Sequence, residues 1–394
     1  MLVHRTRNKM LRTRTTGAPS SKSSIRTLLE EVGIQVNGPQ PWDIQVHDDR
    51  FYRRVLRDGS LGLGESYVEG WWDAEAPDQL LHRILAGDLQ GRALRTPRAL
   101  ALAVSARVLN LQGRRRAGRH ARSHYERGSD LFRAMLDRRL VYSCGYWKDA
   151  RSLDEAQVAK LELICRKLNL EEGRTLLDIG CGWGSLVGYA AERYGVRATG
   201  ITVSPEQAEV ARRECKHLPV EIRVQDYREL SGTYDAVVSV GMFEHVGPKN
   251  HRTYMEVTRR GLAPDGISLI HTIGGNEPTD HIDPWIHTHI FPGAALPTLS
   301  QITKAAEGLF VVEDVHNFGP DYDRTLLAWQ QNFEEAWPEL RERYDERFRR
   351  TWRYYLLSSA AAFRARFIQL YQVILTPVGR PRHDLRHLEP DVAP

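Results

Sequence analysis

A chain of 394 residues with 41% apolar and 9% aromatic residues is long for one domain and comfortable for two, with enough apolar material for sizeable cores. The net charge of +5 is modest but clustered, and two basic runs point to an anionic partner surface such as phospholipid headgroups or nucleic acid. Composition and patterning exclude a membrane-spanning helix, a secretory signal and a cysteine framework, because no long uncharged apolar window occurs and Cys144, Cys165, Cys181 and Cys215 show no Cys-x-x-Cys pairing.

Residues 1–24 carry Arg5, Arg7, Lys9, Arg12, Arg14 and Lys22 with no acid, and read as a disordered basic tail. Residues 25–112 read as a smaller, helix-rich N-terminal domain. Ser24 can cap a helix over 25–32 that Gly33 stops, a strand-like stretch follows at 42–46, and helical spacing returns at Phe51, Val55 and Leu56. The glycines and aromatics of 60–72 predict a tight, packed turn, and 80–112 predicts further helix. The basic run of Arg114, Arg115, Arg116, Arg119 and Arg122 marks a linker at 113–123. The second domain is expected over 124–380, followed by a flexible tail at 381–394.

In that second domain a helix over 153–168 precedes regular alternation. Strands are predicted at 175–179, 197–202, 219–224, 235–240 and 267–272, mostly with helical segments between, which implies an α/β domain with a parallel sheet and helices on both faces. A strand at 311–315 and another near 325–328 are expected as an antiparallel edge. Residues 276–300 form an insertion rich in His and Pro, and 334–375 reads as a long helical stretch packed outside the sheet.

Ligands of open α/β sheets sit beyond the carboxyl ends of the strands. The first end carries Asp178, Gly180, Gly182 and Gly184, glycines that let backbone N–H groups approach a ligand closely. Their G-x-G-x-G spacing after an acid resembles motif I of S-adenosylmethionine (AdoMet) methyltransferases rather than the dinucleotide G-x-G-x-x-G. The second end offers Thr202 and Gln207 where a ribose is often held by an acid. The third offers Asp226 and Tyr227, suited to an adenine amino group and ring face. The fourth and fifth end in Met242-Phe243-Glu244-His245 and His271-Thr272-Ile273-Gly274.

From about residue 25 to 375 the chain resembles the cyclopropane fatty-acid synthase family, on Gly62-Leu63-Gly64-Glu65-Ser66-Tyr67, Tyr142-Ser143-Cys144, Gln225-Asp226-Tyr227-Arg228, Asp283-Pro284-Trp285-Ile286, Asp321-Tyr322-Asp323 and Phe363-Arg364-Ala365-Arg366. The resemblance implies a Rossmann-like class I methyltransferase sheet, with AdoMet as methyl donor and with Tyr142 and Ser143 joining Asp178, Gly180, Gly182, Thr202, Gln207, Asp226 and Tyr227 around it. It implies transfer of the methyl carbon to a cis double bond of an unsaturated phospholipid acyl chain. A bound bicarbonate ion is then expected to take the proton lost on ring closure, and the family's bicarbonate residues map onto Cys144, Glu244, His271, Ile273 and Tyr322. It further implies peripheral attachment to the inner, cytoplasmic face of the membrane through the N-terminal domain, and a homodimer. No metal and no nucleic acid are expected. A methyl-branched or methylene product without ring closure is the alternative outcome, and a non-catalytic lipid- or AdoMet-binding role is the alternative class.

Overall fold

The computed structural model describes residues 21–89, 129–279 and 282–380. Most of the basic tail, the greater part of the helix expected over 80–112, the basic linker and the C-terminal tail lie outside these residues. Four helices lead the chain: α1 (Ser21–Glu30), α2 (Arg50–Asp58), α3 (Ser60–Val68) and α4 (Pro77–Ala86). Between them a two-stranded antiparallel ladder joins β1 (Gln45–Val46) to β2 (Trp72–Asp73).

The turn expected over 60–72 is instead largely the helix α3. Its glycines are sites of close approach rather than breaks in the helix. A Cβ on Gly62 would stand 2.5 Å from the Arg54 carbonyl oxygen, and one on Gly64 would stand 2.3 Å from Cδ1 of Trp285. Packing therefore outweighs the roughly 1 kcal/mol by which each glycine disfavours helix.

After α5 (Ser129–Met135) and α6 (Leu153–Lys167), the alternation follows the sequence closely. The strands are β3 (Thr175–Ile179), β4 (Arg197–Thr202), β5 (Val220–Val224), β6 (Tyr234–Val240) and β7 (Leu262–Gly275). The helices between them are α7 (Ser185–Tyr194), α8 (Pro205–Glu214) and α9 (His251–Gly261). The insertion contains α10 (Pro284–His289), and α11 (Leu299–Ala306) begins at its end. The chain then runs through β8 (Phe310–Asn317), α12 (Pro320–Leu340), α13 (Glu346–Arg364) and β9 (Ile368–Pro377).

Seven strands form one sheet in the order β5-β4-β3-β6-β7-β9-β8. Strands β3 to β7 pair in parallel, and β9 is antiparallel to both neighbours. The sheet's far edge thus departs from the sequence expectation. Residues 325–328 lie in α12, the long helical stretch ends at Arg364, and the antiparallel strand is drawn from its C-terminal part. Strand β9 is buried on both faces, Gln369 and Gln372 included, so it shows no strand alternation of apolar and polar residues. The break before it carries no glycine, because Arg366 itself takes the left-handed conformation, with φ of 56°.

One apolar cluster on the sheet includes Leu161, Ile164, Val187, Ala190, Ala208 and Ala211 from α6, α7 and α8. Another includes Tyr254, Met255, Val257, Ile302 and Ala305 from α9 and α11. A third core runs from Phe51, Tyr67, Trp72 and Leu80 of the N-terminal helices and β2 into Trp285, Tyr322, Trp329, Tyr355 and Phe363. Among the described residues no helix is long and apolar enough to cross a membrane.

Candidate active site

The carboxyl ends of β3, β4, β6 and β7 open toward one region, closed by the segment 142–147 and the first turns of α12. The β3 end makes the glycine turn. Gly180, Gly182 and Gly184 have φ of 87°, 55° and 85°, conformations that side chains disfavour. The N–H groups of Gly180 and Cys181 are tied to the Ile201 carbonyl at 2.9 and 3.0 Å, which fixes the turn against β4. Asp178 is buried beneath it, its Oδ1 lacks a hydrogen-bond partner, and burial pushes its carboxyl up to about 7.

At the β4 end Thr202 donates to Oε1 of Gln207 at 2.9 Å, so these two predicted residues are held as a pair. At the β5 end the Asp226 carboxylate accepts both from the Arg228 backbone N–H and from its guanidinium, which holds its pKa low. The Tyr227 ring beside it packs 5.6 Å from that of Tyr254.

The segment 142–147 is anchored on two sides. Gln157 on α6 donates to the Ser143 carbonyl at 2.8 Å, and the Tyr146 N–H donates to the Ala156 carbonyl at 2.8 Å. On the α12 side, Thr325 Oγ1 accepts from the Gly145 N–H at 3.1 Å and from the Trp147 indole at 2.9 Å. The Cys144 thiol donates to the Gly145 carbonyl at 3.1 Å, and burial raises its pKa well above the usual range, so it stays protonated. Tyr142 shares a 2.9 Å hydroxyl–hydroxyl hydrogen bond with Tyr355, and its ring lies 5.2 Å from Trp329.

A short 3-10 turn after β6, Phe243–His245, carries Glu244 into the interior. Its Oε1 accepts from the Ile273 N–H at 2.7 Å, while its Oε2 has no partner. Burial pushes this carboxyl up to about 7, and the Ile273 N–H opposes that rise. His271 pairs with Val240 on one side and with Gln372 of β9 on the other. Gln372 Nε2 meets His271 Nδ1 at 3.2 Å, while His271 Nε2 is buried and unpaired. Desolvation, reinforced by Lys160 and Lys167, holds His271 well below its ordinary pKa and therefore neutral. In this orientation of the Gln372 amide Nδ1 accepts, which assigns the proton to Nε2, a donor without a partner among the described residues. Tyr322, in the first turn of α12, stacks on Phe363 at 4.6 Å and meets Trp329 edge-on at 5.9 Å.

The described residues thus leave several buried polar atoms unpaired around the sheet's carboxyl end, among them Asp178 Oδ1, Glu244 Oε2, His271 Nε2 and Gln372 Oε1. Leaving such atoms unpaired is costly unless a ligand completes them. A family model described as mycolic acid cyclopropane synthetase matches residues 112–373. This chain belongs to that family.

It is 49% identical over 349 residues to the cyclopropane-fatty-acyl-phospholipid synthase of Escherichia coli (strain K12), covering 89% of this chain and 91% of that relative. It is 33% identical over 356 residues to the tuberculostearic acid methyltransferase UfaA1 of Mycobacterium tuberculosis (strain ATCC 25618 / H37Rv), covering 84% and 82%. Among solved structures, the cyclopropane synthase MmaA2 from Mycobacterium tuberculosis aligns with a TM-score of 0.61 and 31% identity, over 65% of this chain and 97% of that one. The mycolic acid cyclopropane synthase CmaA1, solved in complex with SAH and CTAB, aligns with the same score, identity and coverage. As a member of this cyclopropane synthase family, the protein is an AdoMet-dependent methyltransferase with a class I sheet.

Two buried residues on these walls were not singled out from sequence. Gln372 lay hidden because its strand was read as helix. Lys160 had a visible signal: it occupies an inward position of α6, at four-residue spacing between Ala156 and Ile164.

Proposed function

We propose that this cyclopropane synthase transfers the methyl carbon of AdoMet to the cis double bond of an unsaturated phospholipid acyl chain and closes a cyclopropane ring with a bound bicarbonate as base. The observation that carries the proposal is the pair of opposed, unpaired groups, Glu244 Oε2 and His271 Nε2, buried at adjacent strand ends. The 49% identity to a cyclopropane-fatty-acyl-phospholipid synthase supports the substrate class.

AdoMet supplies an electrophilic methyl group, and its addition to an alkene leaves a carbocation on the chain. Ring closure then requires loss of one proton from the new methyl group, and bicarbonate supplies a base that is small and anionic. Of the protein's own groups, Glu244 in its ionised form accepts the O–H of such a ligand. The neutral His271 donates from Nε2, and the Ile273 N–H is available once Glu244 yields it. Cys144 and Tyr322 close the same wall. Opposed charges in a water-poor site attract more strongly than in water, so an oxyanion held there also stabilises the cation. The rings of Tyr142, Trp329 and Tyr322 present π faces of the kind that favour a cation. Asp178, the glycine turn, Thr202 with Gln207, and Asp226 with Tyr227 form the AdoMet side, and Ser143 joins them.

Peripheral attachment at the cytoplasmic face of the membrane and a homodimer complete this reading. The guanidinium groups of Arg50 and Arg54 lie 4.4 and 5.0 Å from the Trp71 ring centroid and are each ion-paired, to Asp48 at 2.6 Å and to Glu69 at 2.9 Å, so the support for headgroup binding is the basic runs of the sequence.

The test is expression in a host lacking cyclopropane lipids, followed by mass spectrometry and NMR of the fatty-acid methyl esters. The expected product gains one CH₂, loses the alkene and shows ring protons, and purified enzyme loses turnover in bicarbonate-free buffer. Unchanged lipids from folded, SAH-binding protein would refute the activity, and a branched or methylene product would refute ring closure.

A further inference from the structure

Lys160 is a buried charge that the proposed chemistry leaves without a task. It is 1% exposed on a face of α6 otherwise made of buried groups such as Ala156, Leu161, Ile164 and Cys165. Its ammonium has three donors and makes a single hydrogen bond, to Ser143 Oγ at 3.1 Å. Among the described residues it forms no ion pair within 4.0 Å. The charged or titratable groups facing it are Asp137, Asp178, Cys144, Cys165 and the neutral His271. The two thiols are neutral, because burial raises both. Asp137 is committed to the backbone N–H groups of Arg139 and Val141, at 2.9 and 2.8 Å. Asp178 keeps Oδ1 unpaired.

A structural lysine in such a place would be expected to pair with Asp178. Instead the fold leaves a buried cation with donors to spare and, acting on its charge from beyond ion-pair distance, a buried carboxyl with an unpaired oxygen, beneath a turn whose glycines admit a ligand. That juxtaposition is the complement of an amino-acid zwitterion, with a cation for its carboxylate and a carboxylate for its ammonium. We propose that Lys160 is a positioning residue that supplies the counter-charge for the α-carboxylate at the methionine end of AdoMet, acting through the hydroxyl of Ser143. The inference rests on the reading of Ser143 and the glycine turn as the AdoMet site. Lowering of the ammonium pKa to about 8 by burial fits a charge held ready for an anion that arrives with the ligand.

The experiment compares wild type, Lys160→Met and Lys160→Gln by calorimetric binding of S-adenosylhomocysteine and of its decarboxylated analogue. The glutamine variant keeps a donor for Ser143 while removing the charge, and serves if the methionine variant does not fold. Wild type is expected to prefer the intact ligand by about 10- to 100-fold, the range of a buried charge-assisted bond. Both variants are expected to lose that preference while binding the analogue as wild type does, with no fall in Tm, because removing an unpaired buried charge relieves desolvation. Variants that keep the preference, or that lower Tm without changing it, would overturn the inference and leave a structural lysine. A variant that raises the bicarbonate requirement while the preference persists would overturn it in favour of the other anion. Failure of wild type itself to bind the intact ligand would instead refute the AdoMet reading beneath it.

Discussion

Glu244 is 6% exposed, and half of its carboxylate is tied to the Ile273 N–H. The buried half has no partner, so the fold favours the neutral acid and the carboxyl rises from 4.5 to about 7. Between those values the folded protein holds a proton that the unfolded chain releases. The stability from this group is therefore fully present below about pH 4.5 and is lost as pH rises through about 7. Glu244→Gln mimics the protonated acid and keeps an oxygen for Ile273. It is expected to raise stability on the order of 2 kcal/mol in alkaline buffer and to change it little near pH 5. Thermal unfolding of both proteins across that range checks this, and equal effects at the two ends would show that Glu244 is not held neutral. The same variant is expected to lose turnover far more than S-adenosylhomocysteine affinity. Asp178 shares the direction of the shift and its cause, burial.

Helix α3 shows what sequence patterning conveys about an element and what it hides. Glycines spaced among aromatics announce close packing, but only the Arg54 carbonyl against Gly62 and the Trp285 indole against Gly64 explain why a helix tolerates them. Asp283 accepts from the Trp285 and Ile286 N–H groups at 2.9 and 3.1 Å, and so caps α10 and fixes that indole. His289, one turn on, contacts Glu65 of α3 at 2.6 Å. Gly64→Ala should therefore destabilise by about 1–3 kcal/mol through overpacking, despite alanine's better helix propensity. Denaturant unfolding at constant m-value reads the effect, and a gain in stability would mean that Trp285 moves freely. The five parallel strands were legible because turns and amphipathic helices separate short β-branched runs. Strand β9 was not, since burial on both faces erases alternation and the left-handed Arg366 replaces the glycine that would have marked the break. That single misreading also concealed Gln372, and with it the partner that sets the His271 tautomer. Asp178 and the glycine turn were legible from spacing alone. Glu244 and His271 were legible as residues at strand ends, but their shared role, and Cys144 and Tyr322 altogether, became candidates only through the family resemblance.

Across the whole molecule, α13 is the tie between the N-terminal helices and the wall that carries Tyr322. Arg350 donates to the Tyr67 and Trp72 carbonyls at 2.7 and 3.1 Å and to Asp73 at 2.8 Å. Arg364 binds Asp323 of α12 through two bonds, at 2.8 and 2.9 Å, and Asp78 of α4 at 2.8 Å. Phe363, its chain neighbour, is the ring on which Tyr322 stacks. Removing Arg364 strands two largely buried carboxylates, whereas removing the Asp78 charge leaves both Asp323 bonds in place. Arg364→Leu is thus expected to cost about 2 kcal/mol after allowance for solvent screening, and Asp78→Asn less than about 1 kcal/mol. Because the Tyr322 wall shifts with Arg364 while the glycine turn stands on separate elements, Arg364→Leu should lower kcat with S-adenosylhomocysteine affinity preserved. Thermal unfolding, calorimetry and turnover on vesicles of unsaturated phospholipid measure the three quantities. Equal losses of stability in the two variants, or a loss of ligand affinity matching the loss of kcat, would show that Arg364 is not the joint through which the N-terminal helices hold the Tyr322 wall.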